Sequence, residues 1–558
     1  MNLLFTVILL FVPLAAGYFI YGFFLKRYFC LDDSRKTPAH TCRDGIDYQP
    51  THKVYLLGQH LSAIAAAGPI VGPILAGLWF GWGPAILWII LGGIFVGGVH
   101  DMSALIASIR HGGKSIAEVV KAHMPKRAFI MFLIFLWFSL VYIITAFTDI
   151  TVNTFVDPSN GGAVASSSML YLGLALVMGI AVHRFKLNLA HATVIFAPLI
   201  LLCIYAGNWL PLNIPTFPGM DARQTWNMVL LGYCFVASLI PVWLLLQPRG
   251  YMGGFFLTGT VFVSFIGIAI GSIFGDLRVQ YPAFVSWQNP SGLPLFPLLF
   301  ITIACGACSG FHSLVASGTT SRQLDKETDA KTVGYGGMIL ESVVAIIALA
   351  TLMVLGTSQA NALKDPNMIY ASGIATFLNC IGIPHAFALN FALLAFATFV
   401  YDTLDVATRL GRYIFEELAG IRNRFSPYIA SFITLLLPAI FLMQKVVDAQ
   451  GNTIPAWKIY WTVFGASNQL LAGFVLFIVS LWLFRHKMKY LHILIATVFM
   501  LVTSIFALIL LVKPALIRMA SGVFSVGPID ITAFILLALS AVLIAEGVIV
   551  FVKESKRK

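Results

Sequence analysis

Four ionisable residues stand in stretches that are otherwise apolar: His60 in YLLGQHLSAIAAAG, Asp101 in GGIFVGGVHDMSAL, His312 in ACGACSGFHSLVASG and Glu341 in GGMILESVVAII. An ionisable group at membrane depth is costly and needs a partner or a task. Histidine titrates near neutral pH, so His60 and His312 can carry protons, with Asp101 and Glu341 as acceptors on the same route. Asp101 has His100 beside it, or a basic loop, as a partner. Ser309, Ser313 and Ser317 recur every four residues and mark one face of a helix. Their hydroxyls, together with backbone carbonyls near Ala66, suit sodium, although a serine in an apolar helix also bonds its own backbone. The chemistry open to this set is cation coupling, by proton or by sodium.

A second pattern points to an anion. Gly68-Pro69 and Gly72-Pro73 interrupt an apolar run at 55–78. Proline removes a backbone donor, and in lipid the freed carbonyls must be satisfied by protein, water or a ligand. The second half of a broken helix presents its positive N-terminal end at the break, which suits a carboxylate. Ser238-Leu239-Ile240-Pro241 interrupts a later run at 226–247. The expected cradle is the backbone from Ala67 through Gly68, Pro69 and Gly72, with Ser238 and Pro241 opposite and His60 nearby. Close helix packing is the other use of such positions.

The elements that must position these residues are membrane helices. The chain has 558 residues, 59% of them hydrophobic and 10% charged, and its mean hydropathy is +0.89. Apolar runs long enough to cross a bilayer number about fifteen, so the expected class is an all-α polytopic membrane protein. The net charge of +12 would suit nucleic acid, but its placement excludes that reading. With the N-terminus outside, the alternating loops divide 35 Lys and Arg into 28 on one side and 7 on the other. This is the positive-inside bias, with the C-terminus cytoplasmic. The first run lacks a basic leader and is long enough to stay as an anchor. Cys305-Gly-Ala-Cys308 reads as small residues for close packing within an apolar helix, and Cys30, His40 and Cys42 lack zinc spacing. No metal and no cofactor is expected.

The helices from 55 to 402 divide into five and five. Because five is odd, the second set runs opposite to the first, and the first and sixth members both carry a break. Paired breaks in corresponding positions are the signature of an inverted-repeat transporter. The expected units are an N-terminal helix and cytoplasmic linker (1–54), a ten-helix core (55–402), an amphipathic cytoplasmic segment (403–425) and C-terminal helices (426–558). Asp402 and Asp405 are expected to pair with Arg409 and Arg412 at the interface. Ser467-Asn468-Gln469 is an unusually polar triplet within a long span, and Glu546 lies outside the ten helices. An intramembrane aspartyl protease needs two facing carboxylates. Tyr401-Asp402 and Gly98-Val99-His100-Asp101 offer that pair only in reversed order and with His in place of the second Gly. A channel or a nutrient sensor on the same scaffold is the remaining alternative.

Several long motifs resemble one family. GPIVGPILAG, GYCFVASLIPVWLLLQPRGY, FITIACGACSGFHSLVASGTT, VGYGGMILES, LDVATRLGRY and FGASNQLLAG, with DGIDYQPTHKVYLLGQH before them, are similar to the carbon starvation protein A family over nearly the whole chain. The resemblance implies an inner-membrane secondary transporter with a LeuT-like inverted repeat. It implies uptake of short peptides or pyruvate driven by an ion gradient. Two features depart from the larger members: the outside connection at 357–384 is short, and Gln59-His60 stands where a His-His pair is common. Membrane lipid is the expected surrounding. The oligomeric state is not indicated.

Overall fold

The computed structural model describes residues 1–44, 48–65, 67–363, 365–421, 423–447, 453–522 and 527–556. Ala66, an expected ion-site position, lies outside the described residues. The chain is almost entirely helical: α1 (Leu3–Tyr28), α2 (Lys53–Ile64), α3 (Gly68–Phe80), α4 (Trp82–Arg110), α5 (Ile116–His123), α6 (Lys126–Phe155), α7 (Gly161–Arg184), α8 (Leu189–Trp209), α9 (Ala222–Leu239) and α10 (Leu246–Ile273). There follow α11 (Leu295–Thr302), α12 (Phe311–Gly318), α13 (Lys331–Met353), α14 (Thr357–Leu363), α15 (Pro366–Asn379), α16 (His385–Ala419) and α17 (Ser426–Met443). A two-residue ribbon of β1 (Val446–Val447) and β2 (Thr453–Ile454) leads to α18 (Ala456–Arg485), α19 (Leu491–Ala520) and α20 (Pro528–Lys556).

Among the described residues, 12 helices are long and apolar enough to cross a bilayer, or 13 if the bent pair α2–α3 is one span. That is three fewer long helices than the fifteen apolar runs expected from the sequence. The three runs that yield no single long helix are those at 55–78, 226–247 and 294–317, and each is interrupted. The first bends by 50° between α2 and α3. The second stops at Leu239, because Pro241 cannot continue the ladder, and the chain turns before α10. In the third, Ile303–Gly310 is non-helical between α11 and α12, where a continuous helix was expected. Gly306 there has φ +88°, a conformation glycine reaches without strain.

The helix packed against the α2–α3 break is consequently not the one expected. α3 lies against α11 and α13, while α9 packs on α6, α16 and α17. Ser238 and Pro241 are thus not opposite Gly68. The break after α9 is closed from another side: Arg409 Nη2 donates to the carbonyls of Ala237 (2.9 Å) and Ile240 (2.6 Å), and Arg412 Nη1 donates to that of Ser238 (2.7 Å). Ser238 Oγ bonds Ser431 Oγ at 2.8 Å. These arginines cap a helix end, where carbonyls lack donors, and are not the partners of Asp402 and Asp405.

Two more segments differ from expectation. The 357–384 connection holds α14 and α15, and α15 is buried against α10, α13 and α16. α18, placed among peripheral C-terminal helices by the sequence, is buried along almost its whole length and contacts α6, α11 and α12. The polar linker after α1 folds onto the loop between α12 and α13. His40 pairs with Asp325 at 2.8 Å, Glu327 takes Arg35 at 3.2 Å and Arg110 at 2.8 Å, and Asp33 accepts from the Thr328 N–H at 3.0 Å. In this loop burial raises the carboxyl of Asp329 above its usual range, with Lys53 opposing the shift. At the far end of the chain, Glu546 pairs with Arg127 at 2.6 Å.

Candidate functional site

Two broken helices cross at the centre of the fold, and glycines allow the crossing. A Cβ on Gly68 would fall on the Cys305 side chain, and one on Gly72 would stand 2.5 Å from the Thr302 carbonyl oxygen. Ala67 caps α3, its carbonyl accepting from Ile70 N (3.1 Å) and Val71 N (2.8 Å), and Pro69 lies in the first turn. The facing loop is pinned by α13 and α18. Gly306 N–H donates to Glu341 Oε1 (3.1 Å), and Ser342 Oγ donates to the Gly306 carbonyl (3.1 Å). Asn468 Oδ1 accepts from Phe311 N (2.9 Å), and its carbonyl accepts from Gly310 N (3.1 Å). Asn468 thus supplies the capping acceptors that the start of α12 lacks in its own sequence.

Beside this crossing, three of the expected residues converge. His312 Nδ1 lies 2.8 Å from Asp101 Oδ2, and its Nε2 lies 3.3 Å from Glu341 Oε2. His100 Nδ1 approaches the other oxygen, Asp101 Oδ1, at 2.8 Å. All four side chains are fully buried, on α4, α12 and α13. An imidazole held between two carboxylates accommodates its charged form, since each oxygen faces a ring nitrogen. His312 Nε2 and Glu341 Oε2 are close enough to attract each other yet not aligned as a hydrogen bond. Cys305 Sγ, a His312 ring nitrogen and a Glu341 oxygen lie within 4.8 Å of one another, the one such trio among the described residues. The histidine–carboxylate pairing already engages two of these three groups.

A second buried polar knot lies next to the first break. Arg249, fully buried at the start of α10, donates from Nε to Asp402 Oδ1 (2.7 Å) and from Nη1 to Asp405 Oδ2 and to Tyr233 OH (2.5 Å). Tyr233 OH donates to Asp405 Oδ2 (2.8 Å), and Ser62 Oγ, in the last turn of α2, donates to Asp402 Oδ2 (2.8 Å). The knot ties α2, α9, α10 and α16 together. Asp101 and Asp402 belong to separate clusters, so the carboxylate pair of an aspartyl protease is not formed.

The other expected residues fall as follows. His60 is buried, with Nδ1 2.9 Å from Thr320 Oγ1. Ser309 lies in the non-helical loop and accepts from Asn468 Nδ2 at 2.9 Å. Ser313 and Ser317 bond the carbonyls of Gly310 and Ser313 (2.6 Å each), and Ser317 Oγ also accepts from Ile116 N at 3.0 Å. The expected serine face is therefore split, with Ser309 in the loop and only Ser313 and Ser317 bonded to the helix backbone. Arg249, Ser62 and Tyr233 escaped the sequence reading. The only signal was a charge in LLLQPRGY, whose neighbouring proline suggests a helix end at the membrane surface. Asn468 was visible as a polar residue without a task.

A family model described as carbon starvation protein CstA matches residues 2–370 and 357–507. The peptide transporter CstA of Helicobacter pylori is 33% identical over 535 residues, covering 84% of this chain and 76% of that protein. Two Escherichia coli proteins are also similar. The peptide transporter CstA is 32% identical over 544 residues, covering 84% of this chain and 75% of its own length, and the pyruvate/proton symporter BtsT is 31% identical over 544 residues, covering 82% and 74%. Among solved structures, the manganese transporter of Eremococcus coleocola aligns over 93% of this chain and 99% of its own, with a TM-score of 0.47 and 13% identity.

Proposed function

Because this chain belongs to the carbon starvation protein CstA family, whose named relatives are transporters and not enzymes, we propose that it takes up a small carboxylate nutrient with a proton. The substrate class is a short peptide or a pyruvate-like monocarboxylate, as the names of the relatives suggest. The observation that carries the proposal is His312 between Asp101 and Glu341, fully buried beside two crossing broken helices. A proton added there is shared among groups already within reach of one another, His312 lying 2.8 Å from Asp101 and 3.3 Å from Glu341. Sodium is the weaker reading, because Ser309 Oγ already accepts from Asn468 Nδ2 and Ser317 Oγ from the Ile116 N–H, which takes up lone pairs that a cation would need. The carboxylate cradle is the start of α3 at Ala67, Gly68, Pro69 and Gly72, faced by the Ile303–Gly310 loop. Ser238 and Pro241 drop out of it, since Arg409 and Arg412 cap that break elsewhere.

The proposed scaffold is a LeuT-like inverted repeat with revised membership. The first set is α2–α3, α4, α6, α9 and α10; the second is α11–α12, α13, α16, α17 and α18. Each begins with a broken helix. The second member of each contains a π-turn, at Gly93–Gly97 and Lys331–Tyr335, and short helices follow it, α5 in one set and α14–α15 in the other. The contacts pair off as a two-fold relation requires: α6 with α16, α9 with α17, and α12 on α4 matched by α3 on α13. In this arrangement α7–α8 are an insertion and the core extends to residue 485. Alternating access around the crossing, in the inner membrane with N-terminus outside and C-terminus cytoplasmic, completes the proposal.

The test is uptake of labelled pyruvate, dialanine and trialanine into proteoliposomes under an imposed pH or sodium gradient. Saturable uptake of at least one, driven by an inward proton gradient, is expected. Uptake indifferent to both gradients, or driven only by sodium, refutes the coupling. Conduction without saturation would make the protein a channel, and no flux at all would favour a sensor.

A further inference from the structure

Resting on the proton reading above, we propose that a buried water joins His60 Nε2 to the Glu341 carboxylate, making His60 the terminus of a proton wire that runs through Glu341 and His312 to Asp101. Among the described residues, His60 has a defined partner on one side only: Nδ1 meets Thr320 Oγ1 at 2.9 Å, while the buried Nε2 has no hydrogen-bond partner. Glu341 is in the same condition, with Oε1 accepting from Gly306 N and the buried Oε2 lacking an aligned partner. Two unpaired polar atoms in one fully buried region call for a bridging group, because each costs free energy when left dry.

Gly337 brings the two atoms to one place. A Cβ on Gly337 would stand 2.9 Å from His60 Cδ2 and 3.5 Å from its Nε2, so the imidazole lies over α13 at this residue. Glu341 is one turn further along the same helix face, and helical side chains lean back toward the N-terminus. Its carboxylate therefore tilts toward the space that the absent Gly337 side chain leaves open. A buried water makes about three hydrogen bonds. His60 Nε2 and Glu341 Oε2 supply two, and His312 Nε2, 3.3 Å from Glu341 Oε2 and also without an aligned partner, supplies the third.

The groups around this water are His60 on α2, Glu341 on α13, His312 on α12 and, behind it, Asp101 on α4, with Thr320, just past α12, on the Nδ1 side of the His60 ring. A proton arriving on Glu341 passes to the water as a proton leaves the water for His60 Nε2. His60, its Nδ1 held by Thr320 Oγ1 at 2.9 Å, keeps that proton as the last group of the wire, and Glu341 is left as the carboxylate. This reassigns His60 from the carboxylate cradle to the proton route.

The test compares Gly337→Ala with Gly336→Ala in proteoliposomes, using whichever of pyruvate or dialanine the wild type carries. A Cβ on Gly336 points to the Tyr18 ring instead (3.1 Å), so that variant controls for the helix change alone. Substrate-driven proton entry, read with an internal pH dye, should fall about tenfold or more in Gly337→Ala and in His60→Gln. Counterflow exchange of labelled substrate should persist in Gly337→Ala, and Gly336→Ala should retain both activities. Proton entry in Gly337→Ala equal to that in Gly336→Ala, or normal entry in His60→Gln, overturns the wire. A wild-type protein that exchanges substrate but moves no protons overturns the coupling reading itself, and the wire with it.

Discussion

Replacing Arg249 by methionine tests how the fold tolerates carboxylates beside a membrane-embedded break. The guanidinium serves two of them, with Nε 2.7 Å from Asp402 Oδ1 and Nη1 on Asp405. At an effective dielectric of about 20, one such contact has a Coulomb energy of about 6 kcal/mol. Desolvation cancels much of that in the intact knot, but removing one partner leaves the others buried without compensation, at a cost of about 3–5 kcal/mol. That corresponds to a folding constant lower by about two to four powers of ten. The assay is thermal unfolding of detergent-solubilised protein, followed by recovery of monodisperse material. The triple variant Arg249→Met, Asp402→Asn, Asp405→Asn should regain most of the loss, because neutral amides bury more cheaply than unpaired carboxylates. Arg249→Lys should fall between, since an ammonium cannot bridge both carboxylates as a planar fork does. A triple variant as unstable as Arg249→Met, or an Arg249→Met protein as stable as wild type, would refute the reasoning.

Two further outcomes follow from the same contacts. In Gly68→Ala the new methyl collides with Cys305, so uptake should fall about tenfold or more, and Cys305→Gly in the same chain should restore part of it; radiolabel uptake at matched expression checks this, and a fully active single variant would show that the crossing is not tight. At the end of α5, His123 is held down to about 4 by burial and by the neighbouring His111 and Arg485. The folded form therefore resists a proton that the unfolded chain accepts near pH 6.5. Stability should be full above pH 6.5 and decline as pH falls toward 4, and His123→Gln should show a shallower decline in melting temperature over that window. An identical decline in both proteins would mean that His123 takes up the proton as readily in the folded protein as in the unfolded chain.

Much of the architecture is written in local patterns. Apolar length marks the spans, and Gly68-Pro69 marks the first break, because proline and glycine act on the backbone where they stand. The second break was missed for the same reason. Ile303–Gly310 contains no proline, and CGACSG is also what a tightly packed membrane helix looks like. Its irregular path is imposed by Glu341, Ser342 and Asn468, which are distant in sequence. Pro241, by contrast, does end α9, yet the arginines that close that end make it structural. Asp101, His312 and Glu341 were each legible as costly residues needing partners, but that they partner one another depends on tertiary packing. Arg249 was the least visible. Its proline neighbour and its place on the positive side of the charge count both suggested a surface residue, and only Asp402 and Asp405, more than one hundred and fifty positions away, reveal it as buried.

The central claim is that the Asp101–His312–Glu341 chain carries the proton that accompanies the substrate. Its most direct test is the internal pH of proteoliposomes when pyruvate or dialanine is added outside, for wild type and Glu341→Gln side by side. The wild type should acidify the interior in proportion to substrate uptake. The variant, whose amide keeps the shape but cannot take up the proton, should exchange substrate across the membrane without acidification. Equal acidification in both proteins, or wild-type uptake that follows sodium and leaves internal pH unchanged, would contradict the account.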